Sequence, residues 1–130
     1  MIHRNLEPSS ILISEELEVK ISNFSQAIYM KDAVMALKRE EMVGVLAYQA
    51  PEVLERYAYS TQSDIYSIAL IFLFMLKGAH PFNGTNKFEI LKHIKEINLA
   101  ELIGPDIEGT SRDFLMKALR PDPNERMQVE

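Results

Sequence analysis

The side chains able to do chemistry are few in kind and gathered early. His3-Arg4-Asn5-Leu6-Glu7-Pro8-Ser9-Ser10 sets an imidazole, a guanidinium, an amide, a carboxylate and hydroxyls in one short run, and Asn23 adds a second amide. The Asn5 amide has no useful basicity near pH 7, although it can hydrogen-bond a hydroxyl. Asn5, Glu7 and Ser10 can equally be ordinary loop residues, with Asn5 and Ser10 bonding nearby backbone. Cysteine is absent, which excludes disulfides, thiol catalysis and thiolate metal sites. His3, His80 and His93 lie far apart in sequence and give a zinc site little to draw on.

The elements that must position these residues read as mostly helical. Ile11-Leu12-Ile13 and Val19-Lys20-Ile21 are short apolar or alternating runs on either side of an acidic loop, the pattern of a small β-hairpin. Residues 22–49 carry no strong period beyond one or two helical turns in Ala33-Val34-Met35-Ala36-Leu37, and read as a long loop of the kind that is usually functional or disordered. Ala50-Pro51-Glu52-Val53-Leu54 predicts a short helix entered through proline. Ser60-Thr61-Gln62-Ser63-Asp64 supplies capping chemistry for a helix over Ile65 to Lys77, which Gly78 ends. That helix is apolar all round from Ile68 to Leu76, so it is expected at the centre, covered on every side. Phe88, Leu91, Ile94 and Ile97 keep helical spacing, and a last helix is expected from Ser111 to Leu119 before Pro121-Asp122-Pro123.

Length and composition set the outer limits. The 130 residues suffice for one domain, and 47% hydrophobic with 25% charged residues is the ordinary globular mixture, which excludes disorder, collagen and coiled coil. Fourteen basic against nineteen acidic residues give a net charge of −5 with no basic face, which argues against a nucleic-acid partner. The longest apolar run is shorter than the roughly 20 residues a bilayer span requires, so no membrane insertion is expected. With no signal peptide legible at Met1-Ile2-His3-Arg4, a cytoplasmic protein is the expectation.

Five segments, in order, resemble one family. His3 to Ser10 resembles the protein-kinase catalytic loop H-R-D-L-K-P-x-N, Asn23-Phe24-Ser25 resembles D-F-G, and Ala50-Pro51-Glu52 is an intact A-P-E. Ser63-Asp64-Ile65-Tyr66-Ser67 resembles the start of the family's central helix, and Arg126 matches the arginine that pairs with the A-P-E glutamate. The chain is therefore identified as a member of the protein kinase family, of Ser/Thr type. The resemblance implies an α+β, mostly α fold: residues 1–130 are most of a C-terminal lobe, with a small hairpin and a buried central helix. The glycine-rich loop, strand lysine and regulatory-helix glutamate of an N-lobe are expected to be absent, as are the helix before His3 and the last one after Arg126.

The same resemblance marks the catalytic positions as degenerate. Asn5 stands at the catalytic aspartate, Glu7 at the lysine beside the transferred phosphoryl group, and Val45 at the threonine that bridges them. Ser10 and Asn23 stand at the two Mg²⁺-ligand positions, and Leu12 at the floor of the adenine pocket, where a core leucine is the plainer reading. Glu7 turns attraction for phosphate into repulsion, and two neutral groups replace a metal's main protein charge. From Gln26 to Leu46 only Tyr29 offers a hydroxyl, so Arg4 is expected to cap loop carbonyls instead of clamping a phosphate.

The structural set is expected to survive. Glu52 and Arg126 should form a buried ion pair, Asp64 should accept from the backbone near His3-Arg4, and His3 should stack on Phe24. The expected function is an inactive, pseudokinase-like binding or scaffold module. It would use no cofactor and work with a protein partner or a missing N-lobe. The alternatives are a divergent ATP- and Mg²⁺-dependent Ser/Thr kinase, and a truncated product with no function of its own.

Overall fold

A computed structural model of the chain describes residues 1–29, 37–38, 42–82 and 84–128. Strands β1 (Ile11–Ile13) and β2 (Val19–Ile21) pair antiparallel, with Ile11 opposite Ile21, Leu12 opposite Lys20 and Ile13 opposite Val19. Ser14 closes the turn between them, since its carbonyl accepts from Leu17 N at 3.0 Å and its N–H donates to the Glu18 carbonyl at 2.9 Å. A second small pair joins β3 (Leu37–Lys38) to β4 (Ala58–Tyr59). Of the helical turns expected over residues 33–37, positions 33–36 lie outside the described residues, and Leu37 belongs to β3.

Helix α1 (Pro51–Arg56) starts at proline, whose fixed φ suits the first helical position, and ends at Tyr57 in the left-handed region. Helix α2 (Thr61–Lys77) is closed at both ends by its own sequence. The Ser60 hydroxyl accepts from Ser63 N at 3.2 Å, the Ser63 hydroxyl accepts from Ser60 N at 2.9 Å, and Gly78 takes φ 71° at the other end. Helices α3 (Lys87–Glu96) and α4 (Leu99–Ile103) begin under Asn86 and Asn98, whose side-chain oxygens cap the first turns, and α5 (Gly109–Ala118) follows. Among the described residues no helix is long and apolar enough to cross a membrane.

The core forms where α2 packs on α5 and on the segment before α1, while α1 packs on α3. Tyr59, Tyr66, Leu70, Leu73, Ile90, Ile103, Leu115 and Leu119 are completely enclosed. Two expectations need correction. Helix α2 is enclosed round most of its circumference but not on every side: Ile68, Met75 and Leu76 are exposed, because no described element covers them. Ile68 and Met75, together with Ile11, Ile13 and Ile21 of the hairpin and Phe114 of α5, line an apolar groove of about 540 Å³. In α3 the buried side is Ile90, Leu91 and Ile94, and Phe88 stands in solvent, since Ile90 turns the buried side of the helix away from it.

Candidate functional site

The site gathers three loops on the N-terminal end of α2. Asp64, in the first turn, accepts from His3 N at 2.6 Å and from Arg4 N at 3.0 Å, so one carboxylate fixes the backbone of the His3–Asn5 loop. Burial raises the Asp64 carboxyl above its ordinary value, and the two N–H donors and nearby His3 pull it partly back. Arg4 is held at φ 67°, a left-handed conformation costly for a long side chain, and these bonds to Asp64 help to hold it there.

Each side chain of the loop then finds a local partner. His3 Nδ1 accepts from Asn5 N at 3.3 Å, which leaves Nε2 to donate to the Ser22 carbonyl at 2.8 Å. The His3 ring meets Phe24 edge-on with centroids 4.9 Å apart, although Phe24 is half-exposed. Arg4 Nε donates to the Gln26 carbonyl at 2.6 Å, and its guanidinium lies 5.4 Å from the Tyr59 ring. The loop thus reaches residues 22–26 through neutral carbonyls.

The positions matched to metal ligands are occupied by their own neighbours. Ser10 is fully buried: its hydroxyl donates to the Glu7 carbonyl at 2.7 Å and accepts from Glu7 N at 3.0 Å, closing a single 3-10 turn over Pro8–Ser10. Asn23 sits at φ 61° and its Oδ1 accepts from the Ser25 hydroxyl at 3.0 Å. Magnesium favours hard anionic oxygens in near-octahedral array, and these two neutral groups do not fit it. Among the described residues no cluster of three or more His, Cys, Asp or Glu side chains could hold a metal. Glu7 supplies negative charge here, and after burial it is what raises the Tyr48 phenol.

Val45 is about one-third exposed and carries no group able to bridge Asn5 and Glu7. Leu12 is 52% exposed and shares its strand face with Lys20, away from the groove, so it is not a core residue. Below the site, Arg126 engages both carboxylate oxygens of Glu52 and donates to the carbonyls of Gln62, Pro121 and Arg120, with its guanidinium 4.8 Å from the Tyr66 ring. Both partners are almost completely buried. Gln49 and Tyr59 belong to the site as well, through bonds to Val43 and Arg4 that no periodicity in the sequence marks.

The family model described as the protein kinase domain matches residues 1–130, so the chain belongs to the protein kinase family. It is similar to a CDPK-related protein kinase from Daucus carota, 32% identical across 98% of this chain and 21% of that protein. It is also similar to the serine/threonine-protein kinase ksg1 of Schizosaccharomyces pombe, 32% identical across 100% of this chain and 24% of the relative. Aurora kinase C of Mus musculus is 27% identical across 99% of this chain and 45% of its own length. The chain therefore spans less than half the length of these curated relatives.

Proposed function

We propose that this chain is the C-lobe portion of a kinase-family domain in which phosphoryl transfer has been given up and the scaffold serves binding. The observation that carries the reading is the double engagement of the Ser10 hydroxyl within its own turn, fully buried, at a position where the family places a metal ligand. Asn23, occupied by Ser25, and the carboxylate of Glu7 support it. Phosphoryl transfer is positioning plus neutralisation of negative charge, and this loop offers an amide, an extra negative charge and no anionic metal ligand. The chain would bind a protein partner, or further segments of a longer product, and the frame of Asp64 with the buried Glu52 and Arg126 would keep the fold fixed beneath the binding surface.

The test is label transfer from radioactive ATP with Mg²⁺ or Mn²⁺, run beside thermal melts with and without nucleotide. The expected result is no transfer, and no metal-dependent rise in the melting temperature. Transfer that disappears in Asn5→Ala would overturn the reading in favour of a divergent Ser/Thr kinase. The variant N5D/E7K/S10N/N23D supplies the contrast: metal-dependent stabilisation should return there first, because two carboxylates come back at once.

A further inference from the structure

Val43 and Gly44 lie directly on the loop that carries Asn5. Gly44 has φ 92°, and a Cβ built there would stand 2.6 Å from the Arg4 carbonyl oxygen and 3.2 Å from Asn5 Oδ1. Backbone approaches backbone as closely as glycine permits. Beneath this cover Asn5 Oδ1 is buried and has no hydrogen-bond partner among the described residues. A covered acceptor without a donor works against closure, so other contacts must hold the cover down.

Two buried side chains do so. Tyr59 Oη accepts from Val43 N at 2.7 Å and donates to the Val43 carbonyl at 2.9 Å, which fixes the segment to β4. Gln49, only 4% exposed, sends Nε2 to the Val43 carbonyl at 3.0 Å and to the Arg4 carbonyl at 3.3 Å. Tyr59 hydrogen-bonds the segment and meets the loop only through its ring under Arg4, whereas Gln49 hydrogen-bonds segment and loop at once.

We propose that Gln49 is a positioning residue, a latch that keeps Val43–Gly44 closed over Asn5 and shields that position from solvent and from any incoming hydroxyl. The inference stands apart from whether the chain transfers phosphate. Releasing the latch lets water reach Asn5 Oδ1 and removes the strain of the uncompensated acceptor, so the open form has a gain of its own to set against the lost bonds.

Because the chain has no cysteine, a single thiol reports on one place. Asn5→Cys, labelled with a disulfide reagent, should react about tenfold faster when Gln49→Met is added, a factor within the range expected from losing the two hydrogen bonds of Gln49. Val45→Cys, on the exposed neighbour, should label at the same rate with or without Gln49→Met. Equal labelling of Cys at position 5 in both backgrounds overturns the latch, and so does an equal acceleration at position 45, which would signal general loosening. If Asn5→Cys does not fold, amide exchange at Val43 in the Gln49→Met protein decides: faster exchange there, with α2 unchanged, supports the latch, and unchanged exchange at Val43 overturns it.

Discussion

Arg126 meets Glu52 with both arms of its guanidinium, Nη1 to Oε1 at 2.7 Å and Nη2 to Oε2 at 3.0 Å, across 74 residues of sequence. The Gln62, Pro121 and Arg120 carbonyls take its other N–H groups, and the pair is closed off from water. Such a pair contributes little over an apolar replacement, but it punishes the loss of one partner.

Arg126→Met should therefore destabilise the fold by about 3–5 kcal/mol, because it leaves Glu52 buried and uncompensated. Glu52→Leu should cost a similar amount. The double variant should cost clearly less than the two single changes added together. Urea unfolding of the four proteins gives the coupling, and strict additivity would remove the ion pair from the account of stability.

Tyr66 is expected to make the fold sensitive to alkali, alongside the raised phenols of Tyr48 and Tyr59. Burial pushes its phenol far above the ordinary value of 10.0, with Glu52 adding to the rise and Arg126 opposing it. A raised acid contributes stability that is whole below the unfolded value and lost as pH climbs from there toward the folded one. Wild type should lose stability from about pH 10 upward, and Tyr66→Phe should lessen that slope. Melts across that range, with phenolate absorbance followed in parallel, check it; a slope untouched by Tyr66→Phe would place the alkaline sensitivity elsewhere.

Gly78 isolates the cost of backbone handedness. It ends α2 at φ 71°, and a Cβ there would meet nothing within 4 Å. Gly78→Ala should cost about 1 kcal/mol through conformation alone, and Gly78→Asn less, since asparagine tolerates the left-handed region. Thermal melts of the two variants would show the order, and an alanine variant as stable as wild type would refute it.

The apolar groove predicts behaviour in solution. Ile13 is 61% and Met75 63% exposed, so Ile13→Lys and Met75→Lys should change stability by less than about 0.5 kcal/mol. Both should reduce self-association and dye binding, because they break a contiguous apolar face. Light scattering and gel filtration would show this, and unchanged association would acquit the groove.

Much of the fold was legible because its signals are local. The hairpin followed from Ile11–Ile13 and Val19–Ile21, and α2 from the Ser60 and Ser63 hydroxyls at one end and Gly78 at the other. What stayed hidden depends on neighbours. Apolarity on every side of Ile68–Leu76 says that the helix prefers cover, but not that any described element supplies it. Helix α4 is too short for periodicity to speak, and the β3–β4 pair is too short for alternation. At the site, motif order pointed to Asn5, Ser10 and Asn23, but only the folded structure shows that Ser10 and Asn23 spend their oxygens on Glu7 and Ser25. Gln49 carried no signal, since a glutamine beside Ala50-Pro51 looks like any polar loop residue.

The distance in sequence between Glu52 and Arg126 also bears on how the chain is made. While a ribosome is still short of position 126, the nascent polypeptide already holds α1 and α2 but lacks the cation that lets Glu52 enter the interior. Early compaction must either leave that carboxylate in water or bury it unmatched, and the second is costly. The helices should therefore stay loosely associated during synthesis and lock together only after Arg126 has emerged. In that interval the growing chain would be most open to chaperones and proteases.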